Sequence, residues 1–259
     1  MTNGKTVKRS GPVRYSLADV RGSVHSIDSW WTRYFIDPIA VRLTWVFANF
    51  TRISPNAITL MTLPIIFVSA YFFLRGGHID LIIGALIYEF NFALDCVDGK
   101  LARLTGRTSK LGAFSDLYLD NWNVVVNLAA IVWGQYSREG NVGLIVAAWA
   151  YLTIHLLSLL MKYMARDVLG SDVKKDFYAA NALEGDPGIA ARVKRFFSRR
   201  GLNMVLFTTV EAEAVIFFFG PVCGFVFEAI VISTLLISLF FILKSILYLR
   251  SCSQADRQP

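Results

Sequence analysis

The sequence predicts an all-α integral membrane protein with six transmembrane helices, preceded by an amphipathic helix in the membrane interface. Three observations support this fold class. Hydrophobic residues make up 55% of the 259 residues, and only 17% are charged. The mean hydropathy of the chain is +0.49. Apolar stretches recur at lengths near the roughly 20 residues that a helix needs to cross a bilayer.

The polar start of the chain predicts a cytoplasmic tail over residues 1–37, followed by a six-helix membrane domain over residues 38–259. The first thirty residues contain no central apolar run, which argues against a signal peptide. Asp37 and Pro38 together are typical of a helix start. The following apolar residues share one helical face, which predicts a helix in the membrane interface, with a helix packed on protein as the open alternative. They are Ile39, Leu43, Val46, Phe47 and Phe50.

Six apolar stretches are predicted to span the membrane. The second and third carry polar residues at one end, which would reach into the interface. The six stretches are Ala57–Leu74, Leu81–Leu101, Gly112–Tyr136, Val142–Met161, Leu202–Phe219 and Val222–Leu249.

The distribution of basic residues predicts the orientation of these spans. If the six spans alternate in direction, all but two of the 26 Lys and Arg residues fall on the same side as both termini. The two exceptions are Arg75 and Arg138. Because basic residues accumulate in cytoplasmic segments, we expect a multi-pass protein of the cell membrane with both termini in the cytoplasm.

The net charge of +7 favours membrane lipids over nucleic acid as a partner. The excess of positive charge lies in segments that flank the predicted spans, and the sequence contains no nucleic-acid-binding module. Attraction to anionic headgroups accounts for such a pattern. The three cysteines form neither a metal-binding spacing nor a disulfide framework.

Four aspartates lie within these apolar surroundings. Asp95 and Asp98 are three residues apart, and Asp116 and Asp120 are four apart, so each pair shares one face of its own helix. Ionisable groups in membrane segments are costly and generally face the bundle interior, where they bind an ion or a substrate. Four converging carboxylates need positive charge nearby, and oxygen ligands favour magnesium, manganese or calcium over zinc. The pattern predicts two divalent cations.

The residues around the aspartates follow the spacing D-x-x-D-G-x-x-A-R-x(8)-G-x-x-x-D-x-x-x-D without a departure. Its fixed positions are Asp95, Asp98, Gly99, Ala102, Arg103, Gly112, Asp116 and Asp120. This spacing resembles that of the CDP-alcohol phosphotransferase family. The resemblance implies a membrane enzyme of phospholipid biosynthesis that transfers a substituted phosphate from a CDP-linked donor to an alcohol and releases CMP. Residues 38–259 would then be the catalytic domain, with Mg²⁺ or Mn²⁺ as the cofactor.

Site residues follow from the motif and from the resemblance. Asp95, Asp98, Asp116 and Asp120 are the candidate ligands of two ions, and the resemblance implies that Asp120 is the general base; whether it is base, ligand or both stays open. The resemblance implies that Asn56 and Thr59, at the start of the first span, help to bind the cytidine nucleotide. Further candidates for binding the CDP donor lie within the aspartate motif and in the loop that joins its two halves. These donor-site residues are Asn56, Thr59, Asp95, Gly99, Ala102, Arg103, Ser109 and Gly112.

The acceptor side is less defined by the sequence. Arg166, just past the fourth span, is a candidate for binding an anionic acceptor. Glu211 and Glu213 in the fifth span point about 160° apart, so both cannot face one cavity. Glu211 is the candidate of the two for the acceptor pocket.

The identity of the substrates has more than one interpretation. CDP-diacylglycerol with a polar alcohol is favoured, whereas a CDP-linked polar head group with a lipid or polar alcohol is the alternative. A divalent metal-ion transporter is an alternative of another class, because intramembrane acids also mark ion pathways. A membrane adaptor without activity leaves the aspartates unexplained.

The resemblance also implies a homodimer. The third and fourth predicted spans contain small residues that permit close helix approach, although the same residues suit packing within one bundle. They are Ala129, Ala130, Gly143, Ala147 and Ala148.

Overall fold

The computed structural model describes residues 14–25, 28–169, 200 and 207–255, and this part of the chain is all-helical. The predicted tail up to residue 13, most of the segment between the fourth and fifth predicted spans and the start of the fifth span lie outside it. The helices are α1 (Leu17–Gly22), α2 (Asp37–Phe50), α3 (Pro55–Arg75), α4 (His78–Thr105), α5 (Lys110–Glu139), α6 (Val142–Leu169), α7 (Thr209–Ala214), α8 (Gly220–Cys223) and α9 (Val226–Ala255). A π-helical turn, Thr32–Ile36, precedes α2, and another, Val215–Phe219, joins α7 to α8.

Helices α3, α4 and α5 begin and end at residues that local chemistry favours. The Ser54 hydroxyl accepts from the Ala57 amide at 3.2 Å to cap α3, and the Ser109 hydroxyl caps α5 by accepting from the Gly112 amide at 2.9 Å. Helix α4 ends at Gly106, whose φ of 67° is a left-handed conformation that glycine adopts without strain. The α4–α5 reversal therefore places the second half of the aspartate motif back against the first.

A close helix contact in the described core joins α3 to α5. A Cβ atom at Gly134 would lie 2.2 Å from the carbonyl oxygen of Phe73, so only glycine permits this approach. Two polar bonds cross the same interface: Ser69 donates to Asn127 at 2.8 Å, and Gln135 donates to the Gly76 carbonyl at 2.9 Å. This packing holds α3 beside the motif helices.

Helix α2 lies against α4 through a buried ion pair and an apolar cluster. Lys100 Nζ is 2.8 Å from Asp37, and both side chains are almost fully buried. Of the apolar face predicted to meet the membrane, Leu43 and Phe47 pack against this protein cluster instead. The other three members, Ile39, Val46 and Phe50, are exposed. The interfacial position of α2 stays a prediction that this exposed edge supports.

Three helices of the described chain are long and apolar enough to cross a membrane by length and composition: Pro55–Arg75, Val142–Val168 and Val226–Arg250. They correspond to the first, fourth and sixth predicted spans. Helices α4 and α5 have 28 and 30 residues but carry the charged motif. The six-span count is therefore supported in part. Large apolar side chains are exposed on the three apolar helices, including Leu60, Phe67, Val146, Trp149, Leu235 and Leu239.

The turn between the fifth and sixth predicted spans lies later than expected. The sequence analysis placed the break at Gly220 and Pro221, but Gly220 has a helical φ of −54° and Pro221 occupies the first turn of α8. The chain reverses at Gly224, whose φ is 77°. Proline is tolerated in the first turn of a helix, and a left-handed glycine ends one.

The small residues proposed for a dimer contact mostly pack within one chain. Ala130 is buried, and Ala147 and Ala148 pack against the core of the protomer. A Cβ atom at Gly143 would lie 3.2 Å from the Phe227 ring. Ala129 alone of the five is exposed, so the homodimer stays a prediction.

Candidate metal and donor-binding site

Three of the four motif aspartates meet at the α4–α5 hairpin. One carboxylate oxygen each of Asp95, Asp98 and Asp116 lies within 4.8 Å of the others. Asp98 is buried, and the other two are half-buried. Because oxygen–metal distances are about 2.0–2.6 Å, two ligands of one ion lie up to about 5 Å apart. The trio therefore fits a divalent cation, and its donor set is that of a hard ion.

Asp120 lies beside this trio but is not one of the carboxylates that share the 4.8 Å spacing. Its carboxyl group is next to that of Asp95, and Asp116 lies one turn earlier on α5. Its electrostatic neighbours also include Lys162 of α6, and it is itself a neighbour of Glu213 on α7. The side chain is accessible to solvent. Asp120 thus lies between the carboxylate trio and the polar groups of α6 and α7.

Thr59 of α3 contacts the trio directly. Its hydroxyl donates to Asp98 Oδ2 at 2.5 Å and also lies 3.2 Å from the carbonyl oxygen of Pro55. Both Thr59 and Asp98 are buried. A hydroxyl that donates to one carboxylate oxygen orients the other oxygen, so Thr59 supports the Asp98 position.

Asn56, Ser109 and Gly112 form a second group at the start of α3 and α5. The Ser109 hydroxyl lies 3.4 Å from Asn56 Oδ1. A Cβ atom at Gly112 would lie 2.7 Å from Asn56 Oδ1 and 2.9 Å from Ser109 Oγ. Asn56 precedes Thr59 by one turn, and Gly112 precedes Asp116 by one turn, so this group extends the aspartate site towards the helix starts.

Arg103 lies on α4 between Asp98 and the C-terminal end of the helix. A Cβ atom at Gly99 would lie 3.3 Å from Arg103 Nη1, so the guanidinium covers the space that the missing side chain leaves. Its Nε donates to the Ser23 carbonyl at 2.7 Å, and Asp116 is an electrostatic neighbour. Ala102, half-buried beside it, accepts the Arg107 amide at 3.0 Å through its carbonyl. The predicted donor residues of α3, α4 and α5 are thereby brought together.

The acids of the predicted fifth span have different surroundings. Glu211 is fully buried, accepts the Trp30 amide at 3.0 Å and the Thr208 amide at 2.8 Å, and also accepts the Thr208 hydroxyl. The bond from the Thr208 amide belongs to a capping box between Thr208 and Glu211 at the start of α7. The T-x-x-E pattern from Thr208 to Glu211 is the sequence signal for such a cap.

Glu213 has a different set of neighbours. It accepts from the Tyr88 hydroxyl at 3.2 Å, and Asp120 is one of its electrostatic neighbours. The opposed directions expected for Glu211 and Glu213 agree with these separate environments. Arg166 lies exposed on α6, one turn past Lys162. Acceptor roles for Glu211 and Arg166 stay predictions.

Comparison with known proteins places this site in a family. A family model described as CDP-alcohol phosphatidyltransferase matches residues 52–226, which include all four aspartates and every predicted donor residue. A curated relative is the bifunctional IPC transferase and DIPP synthase of Thermococcus kodakarensis, with 26% identity over 139 residues. The alignment covers 53% of this chain and 29% of the relative, so the chain spans less than a third of that protein's length.

Proposed function

This chain belongs to the CDP-alcohol phosphatidyltransferase family, a class of transferases, and from that premise we propose that it transfers a phosphatidyl group from CDP-diacylglycerol to a polar alcohol in phospholipid biosynthesis. Membership of the family supports the general reaction, in which a phosphate-linked group moves from a CDP-alcohol to an alcohol. The observation that carries the chemistry is the trio of Asp95, Asp98 and Asp116 within 4.8 Å. A transferase accounts for this trio better than an ion transporter, because the matched family is one of transferases.

The exposed face of α5 indicates contact with the bilayer. Phe114 and Tyr118 stack with ring centroids 5.9 Å apart, and Trp122 continues the row one turn further. These three side chains and Leu111 are exposed. The row lies about 160° around α5 from Asp116 and Asp120, so it points away from the aspartates. Contact of this row with lipid would hold the aspartate site at the membrane, where a lipid donor such as CDP-diacylglycerol is present.

Asp95, Asp98 and Asp116 would hold a divalent cation, with Asp120 beside them for a second one. Such ions, Mg²⁺ or Mn²⁺, supply charge neutralisation at the pyrophosphate and at the departing CMP. Thr59 keeps the Asp98 carboxylate oriented, and Arg103 offers guanidinium N–H groups to phosphate oxygens. Asn56 and Ser109, close to the Gly112 backbone, offer polar groups to the nucleotide.

Asp120 is the proposed general base. The acceptor oxygen forms a bond to the phosphorus of the diacylglycerol phosphate, the bond from that phosphorus to the CMP oxygen breaks, and the hydroxyl proton passes to the Asp120 carboxylate. Lys162 and Glu213 surround the acceptor side of Asp120. Glu213 is therefore a better-placed acceptor-side acid than the capped Glu211, and Arg166 extends the same face of α6.

We further propose six membrane spans, cytoplasmic termini and a cytoplasmic site in the cell membrane. The three apolar helices and the family membership indicate a membrane protein. The positions of all but two basic residues support the orientation. A homodimer is proposed on the family resemblance.

CMP release by the purified protein tests the function. One arm supplies CDP-diacylglycerol with a panel of polar alcohols, and the other supplies CDP-linked polar head groups with diacylglycerol. We expect magnesium-dependent release in the first arm and none from an Asp116→Asn control. Release confined to the second arm would reverse the assignment of the lipid to the donor. Absence of release in both arms would contradict the transferase proposal.

A further inference from the structure

The N-terminal arm, defined as residues 14–25, makes a specific contact with the donor site. Ser23 follows the last residue of α1, and its carbonyl oxygen accepts Arg103 Nε at 2.7 Å. The contact joins residues 80 positions apart. Because Nε is occupied, the remaining four N–H groups of the guanidinium, on Nη1 and Nη2, are held in one plane and one direction.

Gly99 on α4 and Asp116 on α5 form the surroundings of Arg103. Gly99 has no side chain, and the guanidinium lies over that space, with Nη1 3.3 Å from where a Cβ would be. Asp116 of the trio is an electrostatic neighbour. Arg103 is otherwise exposed, and an exposed arginine side chain has many rotamers to lose on ordering. The Ser23 carbonyl restricts that freedom before any ligand binds.

The arm is itself built to hold Ser23 in place. The Tyr15 amide donates to Asn49 Oδ1 at 2.9 Å, and the Tyr15 carbonyl accepts from Asn49 Nδ2 at 3.1 Å and from Trp45 Nε1 at 2.9 Å. Val20 of α1 is fully buried. Ser16 begins α1 with a capping box, so the short helix between Tyr15 and Ser23 is well defined.

We propose that the N-terminal arm is part of the donor site, with the Ser23 carbonyl positioning the Arg103 guanidinium for the pyrophosphate of a CDP-linked ligand. The inference rests on the proposed role of Arg103 in donor binding. Ser23 is a positioning residue, because it acts through Arg103. The arm lowers the entropy that Arg103 loses when a phosphate binds, so it strengthens donor affinity.

Binding of cytidine diphosphate with saturating magnesium, measured by calorimetry on the full chain in lipid discs, tests this inference. Asn49→Ala removes both side-chain bonds to Tyr15, and Val20→Ser weakens the buried contact of α1. We expect each to weaken CDP binding on the order of fivefold, the factor that corresponds to about one hydrogen bond. Arg42→Ala is the matched control, since Arg42 lies exposed on the same helix and, among the described residues, donates to the Pro38 carbonyl at 2.8 Å and not to the arm.

A double-mutant cycle separates positioning from a general loss of structure. Arg103→Lys keeps the positive charge but has no Nε to donate to Ser23. In that background Asn49→Ala should cause no further loss of CDP affinity, because the contact is already absent. Thermal unfolding of each variant establishes that it is folded. If Asn49→Ala does not fold, Trp45→Phe replaces it in the measurement of CDP affinity, because it removes only the N–H that bonds to the Tyr15 carbonyl.

The possible outcomes separate a failure of the proposed role of the arm from a failure of the proposed function. If the wild type binds CDP, and Asn49→Ala and Val20→Ser bind it as tightly or more tightly, the proposed role of the arm is overturned. Tighter binding would mean that the Ser23 carbonyl competes with phosphate for Arg103. Losses that simply add in the Arg103→Lys background would overturn it as well. Failure of the wild type to bind CDP would overturn the donor assignment and this inference together.

Discussion

Asp120 differs in its surroundings from the three aspartates that share metal-ligand spacing. Asp95, Asp98 and Asp116 face one another, whereas Asp120 also has Lys162 and Glu213 as electrostatic neighbours. A carboxylate between the donor-side acids and the acceptor-side groups is suited to receive a proton while the donor stays bound. The four aspartates should therefore respond differently to substitution.

Asp95→Asn or Asp116→Asn should abolish turnover while the protein stays folded, because an amide removes the negative charge that a divalent cation needs at the trio. CMP release and thermal unfolding measure the two properties. Asp80→Asn is a matched control, since Asp80 lies at the opposite end of α4 and pairs with Arg75 at 3.2 Å. Near-normal release by either trio variant would refute the metal assignment.

Asp120→Asn should keep metal and donor binding close to normal while the rate collapses. The donor remains bound at the trio, but the acceptor hydroxyl keeps its proton. Calorimetry with saturating magnesium compares donor affinity in Asp120→Asn and Asp95→Asn. A loss of affinity as large as that of Asp95→Asn would show that Asp120 acts chiefly as a metal ligand.

At the scale of elements, the α2–α4 contact joins the N-terminal helix to the helix that carries Asp95 and Asp98. Lys100 lies two residues past Asp98 and pairs with Asp37 at 2.8 Å, and Arg33 approaches the same carboxylate at 3.8 Å. A buried ion pair adds little net stability, but loss of one partner leaves the other charge buried without compensation. The pair therefore makes the relative position of α2 and α4 specific.

Lys100→Met should lower the free energy of unfolding by up to about 3 kcal/mol, because the buried Asp37 then keeps only the more distant Arg33, at 3.8 Å, as a positive neighbour among the described residues. Denaturant unfolding of the purified protein measures the change. The double variant Asp37→Leu/Lys100→Met should recover most of the loss, since it removes both charges. Equal losses of unfolding free energy in the single and double variants would show that the α2–α4 contact depends on packing of the lysine stem and not on the ion pair.

At the scale of the whole molecule, exposed apolar faces on α3, α6 and α9 surround a polar centre carried by α4 and α5. The membrane provides the apolar surroundings for those faces, while the aspartates face other helices. The basic residues at the predicted loops are the basis for the expected orientation of the bundle.

Both termini are expected in the cytoplasm. Reporter fusions at Met1 and Pro259 measure the location of each terminus directly, and a fusion in the loop at Gly140 should report the opposite side. One terminus alone on the outer side would mean an odd number of spans and would contradict the count of six. Both termini on the outer side would reverse the expected orientation.

A homodimer is expected in native lipid discs. Mass measurement of the intact protein in such discs tests it, with the detergent-solubilised protein for comparison. A monomer in lipid would contradict the prediction and would agree with the intramolecular packing of Ala130, Ala147 and Ala148.

The features that the sequence determined by itself are those that depend on neighbours along the chain. The spacing of Asp95, Asp98, Asp116 and Asp120 places each pair on one helical face, because helix geometry is local. The motif spacing predicted the family, and hydropathy predicted the three apolar helices. Local signals for the α7 cap were also present at Thr208 and Glu211, although the sequence analysis assigned Glu211 to the acceptor pocket.

Only the tertiary structure decided which residues distant along the chain meet. Thr59 contacts Asp98 across 39 positions, and Ser23 contacts Arg103 across 80. Glu213 has Asp120 as an electrostatic neighbour, whereas Glu211 accepts from Thr208 and Trp30. These partnerships follow from the packing of α1, α3 and α7 on the motif helices. The energies that select such packing are summed over many distant contacts, and no local pattern in the sequence records them.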